Sequence, residues 1–410
     1  MTIDNLISAP REAIGVDLAQ APFDEELVAR ATKLVPFIRE HASEGAAEEQ
    51  VSTVVIDALA DEGLLNLFVP RRLGGQATTT RTALEVLAEI SRGDGATGWI
   101  SSLLNAGTWF GTTYGEQTQQ EIWGDNPNAR ISAIFTPGSS MERVEGGYIV
   151  SGRWPWASGG FAANWACLGI ALDVPEGEDP RGLALFSRDQ YSFERTWFVT
   201  GMKGTASNTI VMENQFVPDH RIQPFVGMRD ANYLTPFKDE ELTSRMAFIP
   251  LAAIILIAPQ LGLARHAMEL TLKKLPNKGV AYTRYTEARN SPSHQLGIAE
   301  AATKLRLAEL LAANMADLID SSAAANELQP LETRVQIRND VGVVADLCKE
   351  AIGILMTLNG AGSFAEPNVL SRVWRDSEIA ARHAYVTSAV GKEVYGRVLL
   401  GTDDPITMDV

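Results

Sequence analysis

The hydrophobic period changes twice along this 410-residue chain, and those two changes constrain its fold more than any single motif does. Across residues 24–123 apolar side chains recur at three- and four-residue spacing, as in Leu27, Ala31, Leu34 and Ile38, which predicts helices. Asp24, Glu25 and Glu26 stand at the end of that pattern where the helix dipole favours anions. The string Val69-Pro70-Arg71-Arg72-Leu73-Gly74-Gly75 interrupts it, because proline cannot continue a helix and paired glycines permit a turn. Over residues 126–223 the texture becomes short β-rich runs (148–150, 165–172, 183–186 and 209–211), punctuated by Gly146-Gly147 and Asp179-Pro180-Arg181-Gly182. Beyond Leu242 it is helical again, with Ile298, Ala302, Leu305, Ala312, Met315 and Ile319 on one face. The expectation is an α+β chain: a helical domain over residues 1–125, a β domain over 126–235, and a helical bundle with a tail over 236–410.

Charge and cysteine usage narrow the function classes. With 35 Lys and Arg against 51 Asp and Glu, the net charge of -16 repels phosphate backbones and anionic lipid. No local basic patch offsets it, so neither nucleic acid nor a membrane surface is an expected partner. The 2 cysteines, Cys167 and Cys348, are far apart and outside any Cys/His cluster, which predicts buried thiols in a reducing compartment and no metal site. The most apolar run, residues 246–259, is short for a bilayer span and holds Pro250 and Pro259, so it reads as a buried core helix. Met1-Thr2-Ile3-Asp4-Asn5 lacks the basic start of a signal peptide, and a cytoplasmic protein is expected. No P-loop and no Gly-x-Gly-x-x-Gly after a strand is present, so a built-in nicotinamide site is not expected.

Three strings in order carry a resemblance. Asp61-Glu62-Gly63-Leu64-Leu65-Asn66-Leu67-Phe68-Val69-Pro70 with Gly74-Gly75, then Gly201-Met202-Lys203-Gly204-Thr205-Ala206-Ser207-Asn208 with Phe216-Val217-Pro218, then Asn359-Gly360-Ala361-Gly362-Ser363-Phe364 with Arg372-Val373-Trp374-Arg375-Asp376, resemble the acyl-CoA dehydrogenase superfamily over almost the whole chain. The resemblance implies that family's fold, with a central β-barrel or sandwich and a C-terminal four-helix bundle. It also implies a flavin between the β domain and the C-terminal helices, and a homotetramer.

Within that superfamily a dehydrogenase needs a carboxylate to take the proton alpha to a thioester carbonyl. One family position follows the Arg375-Asp376 pair, where this chain reads Ile379-Ala380-Ala381-Arg382-His383; the other lies near Ala252, and residues 242–260 contain no Asp or Glu at all. His383 at the first position is similar to the two-component flavin-dependent monooxygenases, as are Thr97-Gly98-Trp99-Ile100-Ser101-Ser102, Arg130-Ile131-Ser132 and Arg153-Trp154-Pro155-Trp156-Ala157-Ser158-Gly159. That branch, with its phenol-hydroxylating and indole-oxidising members, implies FADH2 or FMNH2 supplied by a separate NAD(P)H-dependent flavin reductase. Dioxygen then gives a C4a-hydroperoxide that passes one oxygen atom to an aromatic or heteroaromatic molecule. The alternative is an FAD enzyme desaturating an acyl thioester.

The resemblance also assigns residues. Ser158 matches a hydroxyl that accepts the flavin N5 hydrogen bond and prolongs the hydroperoxide. His383 either orients the peroxide or takes a proton from substrate. Trp99, Trp154, Trp156 and Trp197 wall the flavin or the substrate, or else are core aromatics. Ser132 joins the cofactor-binding set, Arg284 is a phosphate anchor or a surface ion pair, and Ala361 and Gly362 admit the cofactor closely or make a tight turn. Gly107 and Phe110 stand where phenol-hydroxylating relatives carry histidines. With Trp109 and Phe135 they predict an apolar, roomier pocket suited to an indole-type ring.

Overall fold

The computed structural model describes residues 23–402, 406–407 and 409–410; the amino-terminal stretch read above for an export signal lies outside them. Among the described residues five helices come first: α1 (Glu25–Ala47), α2 (Thr53–Asp61), α3 (Thr80–Gly93), α4 (Gly95–Thr112) and α5 (Glu116–Trp123). Asp24 starts α1 by accepting the Glu26 and Leu27 N–H groups, both at 3.1 Å. A single extended residue, Asp94, ends α3 and starts α4, its carboxylate accepting the Thr97 N–H at 2.9 Å. Pro70 and the left-handed Gly74 flank the one-turn 3-10 segment Arg71–Leu73, the break expected there.

Eight strands follow: β1 (Ile131–Ile134), β2 (Ser139–Val144), β3 (Gly147–Ala157), β4 (Trp165–Ala171), β5 (Arg181–Ser187), β6 (Ser192–Glu194), β7 (Asn208–Pro218) and β8 (Ile222–Pro224). They form two four-stranded sheets, ordered β1-β4-β5-β8 and β2-β3-β7-β6. Only the β1–β4 pairing is parallel. The near-continuous apolar run of β4 has a direct cause. Its alternate residues Ala166, Leu168 and Ile170 meet Val150, Trp154 and Ile210 between the sheets, while Trp165 and Cys167 face the helical core. The first sheet is thus covered on both faces.

The last part comprises α6 (Phe225–Arg229), α7 (Phe248–Ile254), α8 (Ala258–Lys274), α9 (Pro292–Ala325), α10 (Leu331–Asn359), α11 (Val369–Ala380) and α12 (Ser388–Leu399). Here the expectation for residues 246–259 needs correction in one respect. Pro250 and Pro259 do not end the apolar run, which stays helical over Phe248–Asn277 and is long and apolar enough by composition to cross a membrane. Both prolines sit in the first turn of their helices, where the missing N–H has no intrahelical partner to lose. The run is a core helix, since 89% of its most apolar window is buried by the chain itself. Glycines let the neighbours close in: a Cβ at Gly262 of α8 would stand 2.2 Å from the Ala88 carbonyl oxygen of α3.

Candidate active site

Three segments far apart in sequence meet at one point. Trp99 lies in the second turn of α4, Ser158 just beyond β3, and His383 just beyond α11. The Trp99 indole N–H donates to Ser158 Oγ at 3.3 Å, and the Trp99 and His383 rings meet edge to face with centroids 5.7 Å apart. A kink at the end of β3 places Ser158. The β3–β7 register slips between Trp154 and Ala157, Trp156 takes a left-handed φ of 67°, and the Ser158 N–H turns back onto the Trp156 carbonyl at 2.8 Å. That turn also swings the Trp156 ring outward, where it is 63% exposed.

Ser158 is one end of a chain of buried hydroxyls. Its Oγ lies 2.6 Å from Ser207 Oγ, which lies 2.7 Å from Thr205 Oγ1, and Thr205 Oγ1 donates to the Met202 carbonyl at 2.9 Å. The Trp197 indole N–H donates to that same carbonyl at 3.0 Å. Behind it, Asp376 of α11 accepts the Met202 N–H at 2.5 Å. Burial and the nearby Asp94 raise the Asp376 pKa. In the sequence Thr205 and Ser207 stand out only as members of the string over residues 201–208. Nothing in one sequence marks two hydroxyls as facing a third some fifty positions away.

The His383 ring is pushed down to about 4 by desolvation and by the Arg338 guanidinium, so it is neutral at physiological pH. Its Nδ1 accepts the Tyr385 N–H at 3.3 Å, which leaves the proton on Nε2. Of the two roles expected for His383, this tautomer supports the orienting donor, because the Nδ1 lone pair is already engaged. Arg338 in turn clamps the segment after α11 through the Ala384 and Tyr385 carbonyls and covers the Tyr385 ring. Among the described residues no carboxylate joins the group: Glu378 pairs with Arg382 at 2.6 Å, Asp376 is committed to Met202, and α7 carries no acid.

The expected pocket aromatics are brought together, with a different interior. Trp109, Phe110 and Phe135 join Phe225, Tyr233 and Phe248, with ring centroids 4.9 Å apart for Phe110–Phe135, 5.1 Å for Phe110–Phe248 and 5.3 Å for Phe135–Phe248. Trp109 is fixed by donating to the Thr243 carbonyl at 2.7 Å. Gly107 adds no room, contrary to expectation. A Cβ there would stand 1.9 Å from the Ile131 carbonyl oxygen, so its missing side chain is what seats α4 against β1. Leu103, unremarked in the sequence, is the one residue of α4 that is not buried. It falls between Trp99 and Phe110, which share a face eleven residues apart, about 16 Å along the helix at 1.5 Å per residue.

Other assignments divide. Trp154 is a core aromatic between the two sheets, fully buried with its N–H on the Gly169 carbonyl at 2.8 Å, and does not wall the site. Ser132 stands behind the turn, its hydroxyl donating to the Ser158 carbonyl at 3.4 Å. Arg284 lies exposed between α8 and α9 over the neighbouring Tyr285 ring, with no hydrogen bond to the Ser158 group. Ala361 and Gly362 lie exposed in the turn between α10 and α11, where a Cβ on Gly362 would touch nothing within the chain. Among the described residues no His, Cys, Asp and Glu cluster could hold a metal ion.

A planar heteroaromatic cofactor with an N–H donor fits this arrangement. Trp156 offers an exposed ring face at the β3 turn, and Ser158 Oγ retains acceptor capacity beside it. The comparisons agree with that chemistry. The acyl-CoA dehydrogenase N-terminal domain model matches residues 25–125 and its C-terminal domain model residues 254–388. The chain belongs to the flavin-dependent monooxygenases built on the acyl-CoA dehydrogenase fold, as the oxygenase component of a two-component system acting on aromatic or heteroaromatic small molecules. It is 30% identical to the flavin-dependent monooxygenase oxygenase subunit HsaA of Rhodococcus jostii (strain RHA1), over 87% of this chain and 93% of that protein. It superposes on XiaF from Streptomyces sp., solved with FADH2 and glycerol, with a TM-score of 0.88 at 30% identity, covering 93% of this chain and 96% of the other. It is also 26% identical to the indole-3-acetate monooxygenase of Pseudomonas putida, over 86% of this chain and 89% of that protein.

Proposed function

We propose that this oxygenase inserts oxygen into an apolar, indole-type heteroaromatic ring, with Ser158 and His383 as the catalytic residues and Trp99 between them. Reduced FAD or FMN, when bound, supplies the activation of dioxygen from which one oxygen atom reaches the substrate. The observation that carries the reading is the meeting of Trp99, Ser158 and His383 with no carboxylate among them. A site without a carboxylate lacks the base for thioester desaturation, whereas a neutral imidazole N–H and an acceptor hydroxyl suit the handling of an activated oxygen.

Each residue has a task in this reading. Ser158 Oγ accepts the N5–H of the reduced cofactor, Trp156 and Trp197 flank the ring system, and the His383 Nε2–H orients the oxygen to be transferred. The substrate lies along the α4 face against Leu103 and Phe135, with Phe110 and Trp109 behind them. No histidine replaces Gly107 or Phe110 to meet an ionised phenol oxygen, which favours a ring without one. The relative named for indole-3-acetate fits this preference. Arg284, Ala361 and Gly362, all exposed on the surface of their own chain, are assigned to the cofactor's phosphate end where a neighbouring subunit of a homotetramer closes the site. An NAD(P)H-dependent flavin reductase is the partner, and the two buried free thiols suit a reducing cytoplasm.

The test is turnover with a flavin reductase, NADH and oxygen-18 gas against a panel of indoles and phenols. Heavy oxygen is expected in the indoles. Labelling of phenols alone overturns the substrate assignment, and desaturation of an acyl thioester without air overturns the reaction.

A further inference from the structure

The polarity of the buried hydroxyl chain is fixed from its far end. The Met202 carbonyl can only accept, so Thr205 spends its single hydroxyl proton there, at 2.9 Å. Ser207, 2.7 Å from Thr205, must then donate to it, and Ser158, 2.6 Å from Ser207, must donate in its turn. Ser158 Oγ also receives the Trp99 N–H, a group that only donates, at 3.3 Å. Every proton in the chain therefore points away from the site, and what Ser158 presents to it is one lone pair. All three hydroxyls are nearly inaccessible, with exposures of 1% for Thr205, 2% for Ser207 and 8% for Ser158, so water offers Thr205 and Ser207 little alternative partner.

We infer that Thr205 and Ser207 are positioning residues that make the site select reduced over oxidised flavin, by holding Ser158 as an acceptor. This rests on the reading above that Ser158 faces the cofactor N5. Reduced flavin carries a proton on N5 and meets the lone pair of Ser158 with a donor. Oxidised flavin has a lone pair at N5 and meets it with another acceptor, leaving both unsatisfied in a dry site. Breaking the chain at Thr205 or Ser207 frees the Ser158 proton to turn toward the site, so that Ser158 serves either redox state.

Dissociation constants for oxidised FAD and FMN, from fluorescence quenching, and for the same flavins reduced and titrated anaerobically, test this without turnover. The parental protein is expected to favour reduced flavin. Thr205→Val and Ser207→Ala are expected to lower the ratio of the two constants about tenfold, mostly by tighter oxidised binding, while Thr205→Ser restores it. An unchanged ratio in Thr205→Val and Ser207→Ala, with a changed one in Ser158→Ala, overturns the chain and leaves the Ser158 assignment standing. If Ser158→Ala alters neither constant, the placement of Ser158 at N5 fails, and the inference with it. Melting temperatures within a few degrees of the parent confirm that each variant is folded.

Discussion

Two residues show how far a side chain's environment departs from what its identity suggests. His383 is expected from its type to titrate near 6.5, yet desolvation and Arg338 lower it to about 4. The folded value lies below the unfolded one, so the neutral ring contributes stability above about pH 6.5 that is lost as pH falls through about 4. An NMR titration of the His383 ring should show a midpoint well under 6, and Arg338→Met should raise it. His383→Ala should reduce oxygen transfer by about a hundredfold, in the range for a lost preorganised hydrogen-bond donor, while flavin affinity changes little. Gly107 is the second case. Its place in the sequence suggested space, whereas Gly107→Ala would drive a methyl into the Ile131 carbonyl 1.9 Å away. That substitution should lower stability by about 1–3 kcal/mol, read from the urea midpoint. The candidacy of His383 was legible in the chain; its tautomer and its depressed pKa were not, because both come from partners supplied by other segments.

Helices here are fixed as much by distant side chains as by their own residues. The start of α3 is capped by Thr79, whose hydroxyl accepts the Thr82 N–H at 3.3 Å, a local signal. Its first two N–H groups, of Thr80 and Arg81, are taken by Asp320 of α9 at 2.7 and 2.9 Å. Asp320→Ala would leave two donors at a buried helix end without partners, at a cost of about 2–4 kcal/mol. The melting temperature should fall, and hydrogen exchange should quicken first at the start of α3. Element types follow from periodicity, so the alternation of helices, strands and helices could be read in advance. The Asp320 cap could not, since 240 positions separate it from Thr80. Nor could the continuity of helix past Pro250 and Pro259, which depends on where each first turn falls.

At the scale of the molecule, the first and last helical layers are joined through their charges as well as their core. Glu269 of α8 holds Arg39 of α1 through two contacts of 2.7 and 2.8 Å, and Arg92 of α3 at 3.1 Å. Arg39 and Arg92 hold its pKa down to about 2, well under the ordinary 4.5. The contribution to stability is therefore present above about pH 4.5 and lost as pH falls through about 2. Glu269→Gln should be less stable than the parent near neutrality, by about 1 kcal/mol or less for so exposed a carboxylate. The difference should shrink below about pH 4.5 and close near pH 2 in acid-unfolding curves. Taken alone, the sequence determined which segments are helix and which strand, the family they resemble and the absence of an acid at the two positions a dehydrogenase would use. Those are properties of short stretches, written in spacing and residue type. Only the tertiary structure decided that Trp154 is core and Trp156 is not, that Gly107 closes space instead of opening it, and that Ser158 ends a chain of hydroxyls anchored on Met202. Each of these depends on a backbone group or side chain brought close by folding from a strand, turn or helix that local periodicity does not position.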